Sequence, residues 1–159
     1  MKSYMLTRKN GKEITDKIQQ CWPNKPIFNP KKILSIKIDV EQDLLISKEF
    51  TAVKIEKDVL PFLKMEKLLE ACGKIFVDKG AIRFICNGAN VMRPGVLSVE
   101  GDFESDDIIC VKEIQYSKFL AIGFALSNSS EIKESSKGIV MKNMHYIGDK
   151  FWEVFKSIR

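Results

Sequence analysis

Two neighbouring segments of the sequence combine glycine with basic residues in a way that suits the binding of phosphate. The first, VDKGAIRF, places Asp78 before Lys79 and Gly80. Asp is a favourable N-cap, so Lys79 and Gly80 fall in the first turn of a predicted helix, 79–87, whose free N–H groups can bind a phosphate. An ordinary capped helix has the same residues, and the sequence leaves both interpretations open.

The second segment, GANVMRPG, follows the predicted helix directly. Gly88 is expected to end the helix in the left-handed region, which Asn90 also tolerates. Arg93 precedes Pro94, so we expect its backbone to be extended and its guanidinium to point outward. Gly95 leaves room for another backbone to approach. The segment therefore predicts a rigid loop that carries one cation, although a simple turn into a strand accounts for it equally well.

A third segment, MHYIGDKFW, places the single histidine, His145, four residues before Asp149. A base oriented by a carboxylate is one interpretation of this spacing. However, no Ser or Cys nucleophile lies in a recognisable motif nearby, and no metal-ligand spacing is present. We therefore interpret His145 as a structural residue and Phe151 and Trp152 as core rather than a base-stacking platform. We expect no enzyme activity, no metal and no cofactor.

The four cysteines show no C-x-x-C spacing, which favours scattered reduced thiols over a zinc site; they are Cys21, Cys72, Cys86 and Cys110. No run approaches the roughly 18 to 20 apolar residues that span a bilayer. The segment MKSYMLTRKNGKE lacks the apolar region of a secretory signal. We therefore expect a cytoplasmic protein that does not enter a membrane, and we expect it to be a monomer.

The chain is basic, with a net charge of +5 over 159 residues, which suits a polyanionic partner. Residues 1–73 carry 14 Lys and Arg against 10 Asp and Glu, whereas residues 74–159 carry 12 against 11. An acidic cluster at 100–107 is expected to be a solvated loop that repels RNA. Any nucleic-acid surface on the second half must therefore be a local patch.

The first half predicts a small α+β unit of two helices and about three strands. Residues 34–40 alternate between apolar and polar side chains, as in a half-buried strand. Pro61 is placed in the first turn of the second helix and Gly73 at its C-cap. The predicted helices are 12–22 and 58–72, and the predicted strands are 34–40, 44–47 and 50–56.

The second half predicts a small antiparallel barrel or sandwich with one helix, 79–87. Gly123 interrupts an apolar strand and so predicts a bulge or a close backbone approach. We place the boundary between two domains at Gly73, which gives domains 1–73 and 74–159. The predicted strands of the second half are 74–77, 96–99, 107–112, 119–126, 138–141 and 151–155.

Three ordered motifs resemble the PUA domain, an RNA-binding module, over residues 74–155: VDKGAIRFICNGANVMRPGV, FLAIGFALSNSSEI and KGIVMKNMHYIGDKFWEV. The ending KNMHYIGDKFW resembles the family of the malignant T-cell amplified protein and ligatin, whose members join a pre-PUA domain to a PUA domain. The resemblance implies an α+β fold, with a small N-terminal pre-PUA domain and a C-terminal PUA β pseudo-barrel with one or two helices. A short chain of this kind is expected of an archaeal homologue.

The same resemblance implies a non-enzymatic RNA-binding protein linked to translation. The expected ligand is structured RNA, either a tRNA acceptor end or small-subunit rRNA, and the expected partners are the small ribosomal subunit and a density-regulated-protein-like factor. Presentation of tRNA or rRNA to a separate modification enzyme is the alternative. A further alternative is a protein-docking module in which the N-terminal half binds a protein partner. The residues implied for the RNA groove are Lys79, Gly80, Ala81, Arg83, Phe84, Gly88, Ala89, Asn90, Met92, Arg93, Pro94, Gly95, Lys137 and Gly138.

Overall fold

Two β-sheets, one from each half of the chain, form the framework of the computed structural model, which describes residues 2–158. The first sheet is antiparallel and follows chain order, with the buried side chains of Leu44 and Leu45 at its centre. Its strands are β1 (Ser3–Met5), β2 (Leu34–Asp39), β3 (Gln42–Ile46), β4 (Thr51–Ile55) and β5 (Asp58–Pro61). The first half thus has five strands rather than about three.

The second sheet is mixed and curls around its own apolar interior. Its strand order is β7 (Val91–Met92), β11 (Ile139–Tyr146), β10 (Lys118–Ala125), β9 (Ile108–Glu113), β6 (Gly73–Val77) and β8 (Val96–Glu100). Strands β6 and β9 pair in parallel and the other pairs are antiparallel. The predicted bulge is present, since the β10–β11 register shifts between Ile122 and Gly123. A side chain at Gly123 would collide with the Lys142 carbonyl oxygen.

Helix α1 (Arg8–Cys21) begins four residues before the start that the sequence predicted. The Thr7 hydroxyl accepts a hydrogen bond from the Asn10 N–H at 3.1 Å, which caps the helix. Ile14 and Ile18 are buried on one face of the helix, and their spacing is the helical spacing expected from the sequence. The helix therefore packs with its apolar face toward the first sheet.

The helix predicted at 58–72 is wrong. Asp58–Pro61 is strand β5, and only Glu66–Leu69 forms a short helix, α2. Pro61 fits a strand here because β5 lies at the edge of its sheet, where a missing N–H leaves no neighbouring strand unpaired. Gly73 begins β6 rather than capping a helix, and the Phe103 ring occupies the space that a side chain at Gly73 would need.

The strand predicted at 151–155 is also wrong, because Lys150–Ser157 forms helix α5. The Asp149 carboxylate caps it by accepting a hydrogen bond from the Trp152 N–H at 2.8 Å. Helix α4 (Ser129–Glu134) was not predicted, and it begins with a capping box between Asn128 and Glu131. Helices α3 (Ile82–Ile85) and α4 pack against the second sheet, whereas α5 contacts β2 and β3 of the first sheet.

One continuous apolar cluster joins the two sheets. From the first half it contains Phe62 and Leu69, and from the second half Cys110, Ile122 and Phe151. The α+β architecture predicted from the sequence is therefore confirmed, with the two sheets packed on a shared interior. The division into domains 1–73 and 74–159 stays a prediction. Among the residues described, no helix is long and apolar enough to cross a membrane.

Candidate nucleic-acid interface

The segment VDKGAIRF forms a shorter helix than the sequence predicted. The Asp78 carboxylate accepts a hydrogen bond from the Lys79 N–H at 2.7 Å, which confirms the predicted cap. Behind it come a 3₁₀ turn, Lys79–Ala81, and a single α-helical turn, α3 (Ile82–Ile85), instead of a helix over 79–87. Few peptide dipoles are aligned in so short a segment, so its positive charge comes mainly from its side chains.

Helix α3 presents a basic and an aromatic side chain to solvent. Ile85 is buried and anchors the helix on the second sheet, whereas Arg83 and Phe84 are exposed. The guanidinium carbon of Arg83 lies 4.8 Å from the centre of the Phe84 ring, a cation–π contact. The Arg83 guanidinium is therefore accessible to a ligand on this surface.

Asn143 of β11 organises the loop after α3. Its side-chain Nδ2 donates hydrogen bonds to the carbonyl oxygens of Ile85 and Ala89, at 3.0 and 2.9 Å. Its backbone N–H donates to the Asn90 Oδ1 at 2.9 Å. Asn90 thus acts through its side chain, and its φ is outside the left-handed region that asparagine tolerates. Asn143 was absent from the predicted site because its three partners lie more than fifty residues away.

Gly88 ends α3 in the left-handed region, as predicted, with φ of +94°. Its N–H donates to the Ile85 carbonyl oxygen at 3.0 Å. A side chain here would also lie within 3.2 Å of the Tyr146 hydroxyl. Both the backbone conformation and the packing against β11 therefore require glycine.

Arg93 does not extend into solvent as predicted. It begins a 3₁₀ turn, Arg93–Gly95, and its side chain is half-buried. The Arg93 Nε donates to the Ile132 carbonyl oxygen at 2.6 Å, and Nη1 donates to the Val96 carbonyl oxygen at 3.3 Å. Its charge thus links the loop to α4 and β8, because both carbonyl groups lie close enough to compete with solvent for the guanidinium.

Strand β11 faces the loop through its pairing with β7. Ile139 is the register partner of Met92, and the Arg93 N–H donates to the Gly138 carbonyl oxygen at 2.8 Å. Both apolar side chains are about half exposed. Lys137, which precedes this pair, and Lys142, which the sequence analysis did not include, are exposed.

The structure brings the end of α3, the loop, β7 and the start of β11 together through these bonds. Most of the predicted groove residues lie on the surface: Lys79, Gly80, Arg83, Phe84, Ala89, Asn90, Met92, Pro94, Gly95, Lys137 and Gly138. Three are partly covered: Ala81, Gly88 and Arg93. We name this surface, formed by residues 79–95 and 137–142, the α3–β11 surface.

Charge is segregated on the second half of the chain. Residues 79–99 and 135–148 contain five Lys and Arg and no Asp or Glu, whereas 100–107 contains five Asp and Glu. The α3–β11 surface is therefore locally positive although residues 74–159 are nearly neutral.

His145 lies in the interior, where its side chain is 0% exposed. Its Nε2 accepts a hydrogen bond from the Leu63 N–H at 3.1 Å, so the ring proton is assigned to Nδ1, which lies 2.7 Å from the Asp149 Oδ2. The Phe62 ring stacks on the imidazole with centres 5.0 Å apart. Both ring nitrogens thus have protein partners, as expected of a structural histidine.

Cys21, Cys72 and Cys110 lie outside the α3–β11 surface, whereas Cys86 lies within it and is partly buried. Burial raises the pKa of the Cys110 thiol well above its ordinary value, and the neighbouring Cys72 thiol raises it further. Burial also raises the pKa of the Cys86 thiol. Within residues 2–158, no group of three or more His, Cys, Asp or Glu side chains is placed to hold a metal ion.

The PUA domain model matches residues 73–147, which contain the second sheet, α3 and the loop that follows it. An uncharacterized protein of Methanocaldococcus jannaschii is 36% identical over 155 residues, 95% of each chain. Translation machinery-associated protein 20 of Schizosaccharomyces pombe is 32% identical over 153 residues, 88% of this chain and 84% of the relative. The chain belongs to the PUA-domain family that contains these proteins.

The likeness extends over both halves of the chain. The crystal structure of a hypothetical protein from Pyrococcus horikoshii superposes with a TM-score of 0.78 at 25% identity, covering 96% of this chain and 99% of the other. Vertebrate malignant T-cell-amplified sequence proteins match 49% of the chain. The family resemblance drawn from the three motifs is therefore confirmed.

Proposed function

We propose that the protein is a non-enzymatic RNA-binding protein linked to translation, and that the α3–β11 surface is its RNA interface. The observation that carries the proposal is the concentration of five cations without a carboxylate on residues 79–99 and 135–148. The presence of a PUA domain and a relative named as translation machinery-associated support it.

In this proposal, the exposed side chains of Lys79, Arg83, Lys137 and Lys142 contact phosphates. Such contacts position an RNA and supply affinity without reading its sequence. Selectivity then comes from the shape of the RNA against the loop that Asn143 holds in place, since structured RNA is recognised largely by shape. Arg93 supports that loop through its bonds to the Ile132 and Val96 carbonyl oxygens.

The proposed ligand is a tRNA acceptor end or a helix of small-subunit rRNA. The proposed partners are the small ribosomal subunit and a density-regulated-protein-like translation factor. We further propose that the protein binds them as a monomer in the cytoplasm. Purification from extract at low salt tests this assignment. Recovery of small subunits supports it, whereas recovery of an RNA-modification enzyme with its RNA supports the role of an accessory RNA-binding subunit.

The double variant Lys79→Ala, Lys137→Ala tests the interface. The matched control, Lys31→Ala with Lys48→Ala, removes two exposed lysines from the first half. Affinity for a tRNA transcript is measured by filter binding over a series of salt concentrations. The slope of log K against log salt is negative, and each lost phosphate contact reduces its magnitude by about 0.7 to 0.9.

We expect the interface variant to show a shallower slope and the control to bind as the native protein does. The same loss in both variants would assign the effect to net charge rather than to the α3–β11 surface. Unchanged binding in the interface variant at low salt would refute the proposed interface.

A further inference from the structure

Phe84 is an aromatic residue that the fold does not use for packing. Its side chain is 54% exposed, although the adjacent Ile85 is buried in the second sheet. Burying a ring of this size is favourable, so an exposed ring leaves a substantial stabilisation unused in the free protein. Its close neighbour is Arg83, whose guanidinium covers part of the ring at 4.8 Å.

The surroundings of Phe84 are apolar and positively charged. Met92 and Ile139, register partners on β7 and β11, are each about half exposed on the same surface. Residues 79–99 carry three cations and no carboxylate. A ligand that matches this surface has flat apolar faces and a negative charge close to them, which is the chemistry of an unpaired nucleotide.

We propose that Phe84 stacks against an unpaired base of the bound RNA, on the part of the ring that Arg83 leaves open. Arg83 then holds one side of the ring and directs its N–H groups toward the adjoining phosphate. This inference rests on the proposed RNA-binding function and adds a requirement to it, because stacking needs a single-stranded nucleotide whereas phosphate contacts do not.

The probes are an RNA hairpin with an unpaired 3′ tail and the same hairpin with a blunt end. Phe84→Ala is expected to weaken binding of the tailed hairpin by about 5- to 150-fold, because stacking on an aromatic side chain contributes about 1 to 3 kcal/mol per base. Binding of the blunt hairpin and the salt slope are expected to stay the same. Phe84→Trp is expected to retain the preference for the tail.

Tyr4→Ala is the matched control, since Tyr4 is an exposed aromatic residue of β1, in the first sheet. A tail that contains 2-aminopurine gives a direct signal, because its fluorescence is quenched on stacking. We expect quenching with the native protein and Phe84→Trp, and none with Phe84→Ala. Urea unfolding establishes that each variant is folded.

Equal weakening of both hairpins by Phe84→Ala would overturn the stacking assignment. Unchanged binding of both would overturn it too, and loss of a protein partner without loss of RNA would reassign Phe84 to a protein contact. The function itself is tested separately by Lys79→Ala with Lys137→Ala. If that variant loses affinity while Phe84→Ala does not, the RNA interface stands and the stacking does not.

Discussion

The interior around His145 and the surface around Phe84 contain similar residues in opposite circumstances. Each combines an aromatic ring with a nitrogen-bearing side chain that is suited to chemistry. In the interior, both nitrogens of His145 have protein partners, and Phe62 stacks on its ring. On the surface, Phe84 and its neighbouring cations are exposed to solvent. Residue type therefore identifies a candidate, and the distribution of contacts decides whether the candidate serves the fold or a ligand.

The largest effect is expected from removing the interior ring. His145→Ala deletes the acceptor of the Leu63 N–H and the partner of the Asp149 carboxylate, and leaves a cavity beside Phe62. The free energy of unfolding should fall by about 2 to 4 kcal/mol. Chemical denaturation in urea measures this change.

Phe84→Ala is the matched surface change for that experiment. It removes a ring that is half exposed, so we expect a change in stability within about 0.5 kcal/mol. RNA affinity should show the opposite pattern to stability. Folded His145→Ala should bind RNA as the native protein does, whereas Phe84→Ala should bind it more weakly. Equal stability losses in the two variants would contradict the distinction between interior and surface.

Local signals in the sequence were sufficient for several features of the site. Asp78 caps its helix and Gly88 ends it, as predicted, because both effects depend on residues within one helical turn. Gly123 marks the irregularity in the β10–β11 pairing, where the Lys142 carbonyl oxygen leaves no room for a side chain. In the fold, the alternation at 34–40 predicted β2 to within one residue.

The errors have two causes. One is a misjudged period: Phe151 and Phe155 are four residues apart behind an Asp149 cap, a helical signal that the aromatic content obscured. The other is tertiary structure. The bond from Arg93 to the Ile132 carbonyl oxygen spans 39 residues, and the bond from Asn143 to Ile85 spans 58. No local pattern contains such pairs, so the sequence identified the loop but not the residues that hold it.

Substitutions of Arg93 show whether this residue stabilises the loop or contacts the RNA. Arg93→Ala removes two hydrogen bonds from a charged donor, so stability should fall by about 1 to 3 kcal/mol. Lys137→Ala, the matched cation on the facing segment, should leave the urea midpoint unchanged because its side chain is exposed.

Arg93→Lys separates the two roles of the residue. Lysine keeps the charge but lacks the planar fork that reaches both carbonyl groups. We expect it to lose most of the stability that alanine loses and to leave the salt slope of RNA binding unchanged. A full recovery of RNA affinity in Arg93→Lys, with the slope reduced only in Arg93→Ala, would instead make Arg93 a phosphate contact.

Gly80 lies where the proposed interface requires room for the RNA rather than a side chain. A Cβ at Gly80 would meet nothing within 4 Å, and its φ lies outside the left-handed region. Gly80→Ala should therefore leave stability unchanged or raise it by up to about 1 kcal/mol. If RNA approaches the backbone here, the added methyl group must nevertheless weaken binding.

Gly11→Ala supplies the control, because Gly11 lies within α1 and an added Cβ would make an ordinary contact, 3.5 Å from the Ile33 Cδ1. Both variants should be at least as stable as the native protein, and only Gly80→Ala should lose affinity for the tRNA transcript. Since neither substitution removes a charge or a hydrogen bond, a loss confined to Gly80→Ala can arise only from steric exclusion of the RNA. Native affinity in Gly80→Ala would move the RNA path away from the turn at 79–81 and leave α3, β7 and β11 as its remaining contacts.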